Sequence, residues 1–345
     1  MLLFAAVSLS PLVLLAAGIV VGGVWALAGL LYMSVLAAIL DQITPLFTGR
    51  ADEEQEFPAA DGLLAAIVVA HCLMLPLAVF AVGGGSGLSG PDRVMVFAGC
   101  GLWLGQVAVP AAHELIHRGN RTLFSAGVLI YATLLFGHHA SAHRLVHHRH
   151  AASTADPNSA RSGEGFYAFA ARAWIGSFRK GWQAENDLRA RGTANRVHPY
   201  TIYTGLALAS LGGGWLMAGW PGVAVWAGLA VHAQSQLLLS DYVQHYGLTR
   251  GVGPDGKLEP VSDRHSWNAQ HWFTSSLMLN APRHSDHHAH PARVFCALRL
   301  PEAVLAPRLP WSLPVACTIA LFPPLWKRAI RPHLAPWRTT AEPKS

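Results

Sequence analysis

An all-α integral membrane protein is the fold class this chain predicts, and three observations predict it. Of 345 residues, 52% are apolar and only 13% charged, where a soluble domain carries about 25% charge; the mean hydropathy is +0.31. The apolar residues gather into continuous stretches of roughly 17 to 21, the length at which a helix crosses hydrocarbon. Nineteen histidines are anomalous in such a chain, and most of them sit in tight groups just beyond those stretches.

Residues 1 to 40 read as two spanning helices, about 3–21 and 24–40, joined by a tight turn at Gly22 and Gly23. No lysine or arginine precedes this apolar run, and the first basic residue is Arg50, so a cleaved signal peptide is not expected. A polar stretch from Asp41 to Asp61, with the acidic run Asp52, Glu53, Glu54 and Glu56, predicts a solvated loop. The third span is about 62–82, a Gly/Ser-rich turn occupies 83–90, and the fourth span runs over about 94–111. Two more, about 202–218 and 222–240, flank Trp220 and Pro221. Six spans result. Of two apolar stretches left over, 122–137 is expected to be interfacial or re-entrant, because a full crossing would place the bilayer between histidine clusters that have to meet. The other, about 311–325, contains Pro314, Pro323 and Pro324, which disfavour a regular span; it is expected along the membrane or packed on the domain. No repeat or linker divides the chain, so 1–345 reads as one integrated domain with metal-site segments at 112–200 and 241–300.

Charge placement orients these spans. With both termini and the loops 41–61 and 112–200 on one side, that side holds 24 of the 25 lysines and arginines, leaving Arg93 opposite. The positive-inside tendency puts that side, with both termini and the histidines, in the cytoplasm. The net charge of +6 needs no nucleic-acid partner, since a basic apron meets anionic lipid headgroups and can dock an acidic soluble protein. The four cysteines, Cys72, Cys100, Cys296 and Cys317, form no CxxC pair, which excludes a thiolate cluster and a disulfide scaffold.

The fourth span ends in His113-Glu114-Leu115-Ile116-His117. Residues four apart share a helix face, so these two imidazoles can hold one ion; alone, the pattern is also that of zinc metalloproteases. Next come His138, His139, then His143-Arg144-Leu145-Val146-His147-His148, and His150. His143 and His147 repeat the four-residue spacing, and His148, turned by about 100° on a helix, is expected at a second ion or on the far side of the first. The sixth span runs into Asp241-Tyr242-Val243-Gln244-His245, and a last element holds His284-Ser285-Asp286-His287-His288 with His290 beyond. Nine strong candidates follow: His113, His117, His143, His147, His148, His245, His284, His287 and His288. One open tetrahedral zinc uses three protein ligands, so nine imidazoles imply at least two ions. Neutral nitrogen suits iron, copper, nickel or zinc; a hydrocarbon-soluble substrate without a hydrolysable bond favours redox iron.

Glu114, Asp241 and Asp286 adjoin candidate ligands and are expected to accept the distal N–H of a histidine. Asp156 and Glu164 are expected to hold the loop after the second motif. His265 and Trp267 are placed behind the site, Gln244 and His139 beside it. His138, His150 and His290 are weaker candidates, and His71, His198, His232, His271 and His333 ordinary packing or surface residues. A lipid-to-metal channel has Trp25, Trp103, Leu104 and Gly105 as candidate lining.

The motifs HELIH, HRLVHH, DYVQHYGL and RHSDHHAHP resemble those of the integral-membrane alkane monooxygenases, within the histidine-rich diiron hydroxylases and desaturases. The tract Asp156-Pro157-Asn158-Ser159-Ala160-Arg161 with Gly163-Glu164, and His265-Ser266-Trp267-Asn268, look like the same family, and the resemblance covers roughly 100–300. It implies two non-haem irons with O2 as co-substrate, electrons from rubredoxin or ferredoxin and an NAD(P)H reductase, and hydroxylation of the terminal methyl of medium- or long-chain alkanes. Ala142 and Gln244 stand where the family usually has glutamate, and Asn280-Ala281-Pro282 departs before Arg283. A xylene-type aryl-methyl hydroxylase or a fatty acyl desaturase is the alternative. A metal transporter would line its spans with charge, and a protease leaves seven of the nine histidines unused.

Overall fold

The structure, a computed structural model, describes residues 1–43, 58–192 and 197–337. The acidic run Asp52 to Glu56 and Arg50 lie outside the described residues. Among the described residues the protein is all helix and loop, with only the isolated bridges Val252–Leu258 and Asn268–Arg308.

Four long apolar helices come first: α1 (Leu2–Val21), α2 (Gly23–Gln42), α3 (Ala59–Gly85) and α4 (Gly90–Ile116). The 27 residues of α4 rise about 40 Å, some 10 Å more than a hydrocarbon core. Its last turns therefore carry the first histidine motif beyond the bilayer. A short helix, α5 (Arg121–Thr133), and a helical stretch α6 (138–150) follow. The 13 residues of α5 rise only about 20 Å, too little to cross. Its C-terminal end lies beside the middle of α3, where His71 Nε2 is 2.8 Å from Thr133 Oγ1, and the chain then turns back, with Leu135 at φ 56°. Irregular backbone at this depth is tolerated only inside protein. Here Trp226 Nε1 donates to the Thr133 carbonyl at 2.8 Å and Gln234 Nε2 to that of Leu134 at 2.7 Å. The stretch 122–137 thus forms a helix too short to cross, which runs in beside α3 before the chain returns as α6.

An amphipathic helix, α7 (Phe166–Ala190), leads to α8 (Pro199–His245). As a straight rod, the 47 residues of α8 would reach about 70 Å, more than twice the core thickness. They do not run straight: Ala218 (φ −150°, ψ 22°) and Gly219 (φ 62°) break the helix, and glycine alone takes that positive φ without a Cβ penalty. The two limbs fold back so tightly that a Cβ on Gly222 would lie 2.0 Å from the Gly214 carbonyl oxygen. These limbs are the expected fifth and sixth apolar segments. Short helices complete the chain: α9 (Trp272–Leu277), α10 (His284–Ala289), α11 (Leu313–Ala320) and α12 (Pro323–Leu334).

The turns at one end of the bundle adjoin each other: Gly23 N–H donates to Asp92 Oδ1 at 2.7 Å, and Gly83 packs on Ala218 and Gly222. Arg93 is there too, beside Gly84. At the other end Asp41 Oδ1 accepts the N–H groups of Phe273 and Thr274 at 3.1 and 3.0 Å, capping α9, and Phe4 meets Phe295 edge-on at 5.1 Å. The histidine motifs are gathered at this second end. The apolar 311–325 stretch contributes α11, which packs on α8.

Candidate metal centre

The helix period places most of the nine histidines. His113 and His117 share a face of α4, His284 and His288 a face of α10, and His245 closes α8. All nine converge in two sets, His113, His117, His143, His148 and His287 in one, His147, His245, His284 and His288 in the other, with the nitrogens of each set within 4.8 Å of one another.

The second motif departs from expectation. Residues His143–His147 form a turn of π-helix, whose i→i+5 bonding brings residues five apart to one face. His143 therefore joins His148, not His147, and His147 turns to the other set. The α-helical spacing of four had paired His143 with His147; the wider turn is why it does not. Residues Tyr32–Leu36 of α2 and Leu104–Ala108 of α4 also form π turns, and both contribute to the wall of the cavity described below.

Within the five-histidine set, His143 Nε2 lies 2.8 Å from His113 Nε2, 3.1 Å from His117 Nε2 and 2.9 Å from His148 Nε2; His148 is 3.1 Å from His287. In the other, His147–His288, His288–His284 and His284–His245 are 3.2, 3.1 and 3.0 Å apart. A neutral ring nitrogen donates one hydrogen bond or accepts one, so three such contacts at one Nε2 are not all hydrogen bonds. They match neighbouring ligands: nitrogens at right angles, each about 2.0–2.1 Å from an ion, lie about 2.9 Å apart. Burial, and then the surrounding imidazoles, push His284, His287 and His288 well below the ordinary histidine value. Neutral rings with free lone pairs are what a cation needs. The donor set fits two metal ions.

The neighbouring acids differ from expectation. Glu114 accepts the Phe295 N–H at 3.2 Å and pairs with Arg118; Asp241 accepts from Asn158 Nδ2 at 2.6 Å; Asp286 binds Arg293, the Arg299 N–H and His290. Glu114 directly follows His113 and Asp286 directly precedes His287, so each points away from that ligand by about 100°; Asp241, four positions before His245 on the same face, is taken up by Asn158 instead, and none of the three bonds a ring of the nine. Asp156 does, at 2.8 Å from His147 Nδ1. Burial raises the Asp156 carboxyl, but the His147 ring and the Ser159 hydroxyl outweigh it and hold the group below the usual carboxylate value. Glu164 ties down the loop through Arg172. His265 bonds Ser262 and Glu259, and Trp267, fully buried, donates to the Tyr246 carbonyl at 3.0 Å. His139 stacks on Phe136 with its ring centre 5.2 Å from His143 and joins neither set; His138 packs against Trp174 and Phe178.

A cavity of about 630 Å³ opens onto both sets, reaching His113, His143 and His284. Its walls come from α2, α4, α8 and α11. Of the four expected channel residues only Gly105 lines it; Trp103 is buried with its Nε1 on the Ser8 carbonyl, Leu104 is buried away from it, and Trp25 is 44% exposed on the outside. Met33, Leu102, Gln106 and Thr318 line it and carried no sequence signal.

Gln244 also borders the cavity. Its Nε2 donates to the Ala281 carbonyl at 3.0 Å and its Oε1 accepts the Ser240 hydroxyl at 2.7 Å, so two departures from the family pattern touch. Gln244→Glu should remove the donor and set a carboxylate against a carbonyl, costing about 1–3 kcal/mol and loosening the segment before His284. Denaturation in detergent would read this as a lowered midpoint; an unchanged midpoint would refute the coupling.

A sequence profile of the fatty acid desaturase family matches residues 92–318. Alkane 1-monooxygenase 1 of Pseudomonas aeruginosa is 30% identical over 325 residues, 90% of this chain and 83% of that protein. Alkane 1-monooxygenase 2 of Alcanivorax borkumensis is 32% identical over 67% of this chain and 60% of its own length. The Pseudomonas putida alkane 1-monooxygenase is 31% identical over 67% of this chain and 58% of its own.

Proposed function

Because the chain belongs to the fatty acid desaturase family and, within it, to the alkane 1-monooxygenases, we propose that it hydroxylates the terminal methyl of a medium- or long-chain alkane to a primary alcohol at a non-haem diiron centre. The observation that carries this is the opening of one largely apolar cavity onto both histidine sets. His113, His117, His143, His148 and His287 would hold one iron, and His147, His245, His284 and His288 the other. Two irons so held supply reductive activation of O2 and cleavage of an unactivated C–H bond.

Everything else falls to the chain's own residues. The helical walls bind an extended hydrocarbon by burial alone, because a saturated chain offers nothing to hydrogen-bond. His113, His143 and His284 form the polar end of that cavity, so the terminal carbon is oriented toward the metals. Enclosure by α2, α4, α8 and α11 excludes bulk water from the reacting end. The balance is one alkane, one O2, two electrons and two protons giving one alcohol and one water.

The described cysteines are all free and scattered, with no CxxC pair, so the electrons have to come from another protein; rubredoxin or ferredoxin with its NAD(P)H reductase is the proposed donor. The protein is a multi-pass membrane protein, and the basic composition of the histidine side supports a cytoplasmic metal site at the bacterial inner membrane. The test is product analysis with octane, hexadecane, xylene and an acyl donor, using rubredoxin, reductase and isotopically labelled O2. Labelled 1-alkanol is expected. An alkene from the acyl donor, with no alcohol from any alkane, would overturn the proposal in favour of a desaturase.

A further inference from the structure

The two histidine sets differ in a way that ligand number does not explain. Among the described residues, His147 alone of the nine has a ring nitrogen hydrogen-bonded to a carboxylate, that of Asp156. The carboxylate is held on several sides: Ser159 Oγ donates to its Oδ2 at 2.7 Å and the Asn158 N–H to its Oδ1 at 3.1 Å. Ser159 Oγ in turn accepts the Ala152 N–H at 2.7 Å, and Arg172 grips the Pro157 and Ser159 carbonyls. Asp156 is 1% exposed. His143 at the centre of the five-histidine set has its Nδ1 buried with no hydrogen-bond partner, as have His245 and His288 in the smaller set, so the carboxylate on His147 is what sets the smaller set apart. Cover differs as well: all four rings of the smaller set are buried, whereas His113, His117 and His148 of the larger are half-buried.

The geometry points to Asp156 as a positioning residue that makes the two metal sites unequal: acting through His147, it renders the four-histidine site the tighter and leaves the five-histidine site the exchangeable one. The inference rests on the two-ion reading above. A carboxylate accepting the Nδ1 proton fixes the tautomer that presents Nε2 to the metal, holds the ring plane and raises the basicity of the ligating nitrogen. Enclosure keeps that charge from being screened by water or salt. The larger set has one more nitrogen but lacks such a partner, and its partly uncovered rings give a chelator a way in.

Cobalt(II) titration of the metal-free, detergent-purified protein by equilibrium dialysis tests this. The wild type should bind two ions with separate constants. Asp156→Asn, which keeps the size and removes the charge, should weaken the tighter constant by about 10- to 100-fold and leave the weaker one unchanged. In a His147→Gln background, where the tighter site is already weakened or lost, the same substitution should cause no further change in binding, because the route of action is gone; a loop that merely collapsed would still weaken the remaining binding there. Chelator challenge of the wild type adds a reading independent of any variant, with one ion leaving fast and the other slowly. Weakening of both constants alike, an effect that persists without His147, or loss of both ions at one rate would each overturn the proposal. Fewer than two bound ions in the wild type would overturn the two-ion reading and this inference with it.

Discussion

His143→Ala and His147→Ala should each reduce turnover to background and each cost one metal ion, but not the same ion. His143 Nε2 sits among His113, His117 and His148, so its loss opens the five-histidine set. His147 meets His288 and Asp156, so its loss opens the other. Each single variant is expected to keep about one ion per chain, and the double variant none, since metal affinity follows the completeness of the ligand set. Had the two rings shared an ion, as a regular α-helix would have it, the double variant would retain as much metal as either single one. Metal quantification of the three variants, with membrane insertion as the folding control, separates these outcomes. Retention of both ions and activity in either single variant would remove that residue from the ligand set.

The second large effect concerns chain length. Leu102 lines the cavity eleven positions before His113 on α4, about 16 Å along the helix axis. It is only half-buried, so a larger side chain there can enter the open space. Leu102→Trp should therefore obstruct the region of the cavity remote from the metals and spare the region next to them. The expected result is at least a tenfold fall in kcat/KM for hexadecane relative to octane, with metal content unchanged. Equal losses on both substrates would mean that the hydrocarbon does not run along α4.

The order of the long apolar helices was legible because hydropathy is a local property, and so was the failure of 122–137 to form a helix long enough to cross, because its neighbouring histidines had to meet. The pairs His113 with His117 and His284 with His288 were legible because the α-helical period is constant. The partition of His143, His147 and His148 was not: a π turn leaves no mark on a pattern read at a spacing of four, and both bonding schemes suit the same residues. Asp156 was singled out for its loop but not for its contact, since that hydrogen bond depends on Ser159, Asn158 and Arg172 closing the loop over nine residues of sequence. Adjacency in sequence was misleading for Glu114 and Asp286, because a helix turns consecutive side chains apart, and the shared face of Asp241 and His245 was misleading because Asn158, from a distant loop, takes the Asp241 carboxylate. The cavity was the least legible feature. Met33, Gln106, Gln236 and Thr318 lie far apart in the chain and share a wall only through tertiary packing.

Metal quantification of the wild-type protein, purified anaerobically in detergent, tests the central claim most directly. Two irons per chain, both removed by chelation together with all oxygenase activity and both restored on reloading, is the result that nine converging imidazoles predict. One ion per chain, or zinc or copper in a preparation that still oxidises alkanes, would contradict it.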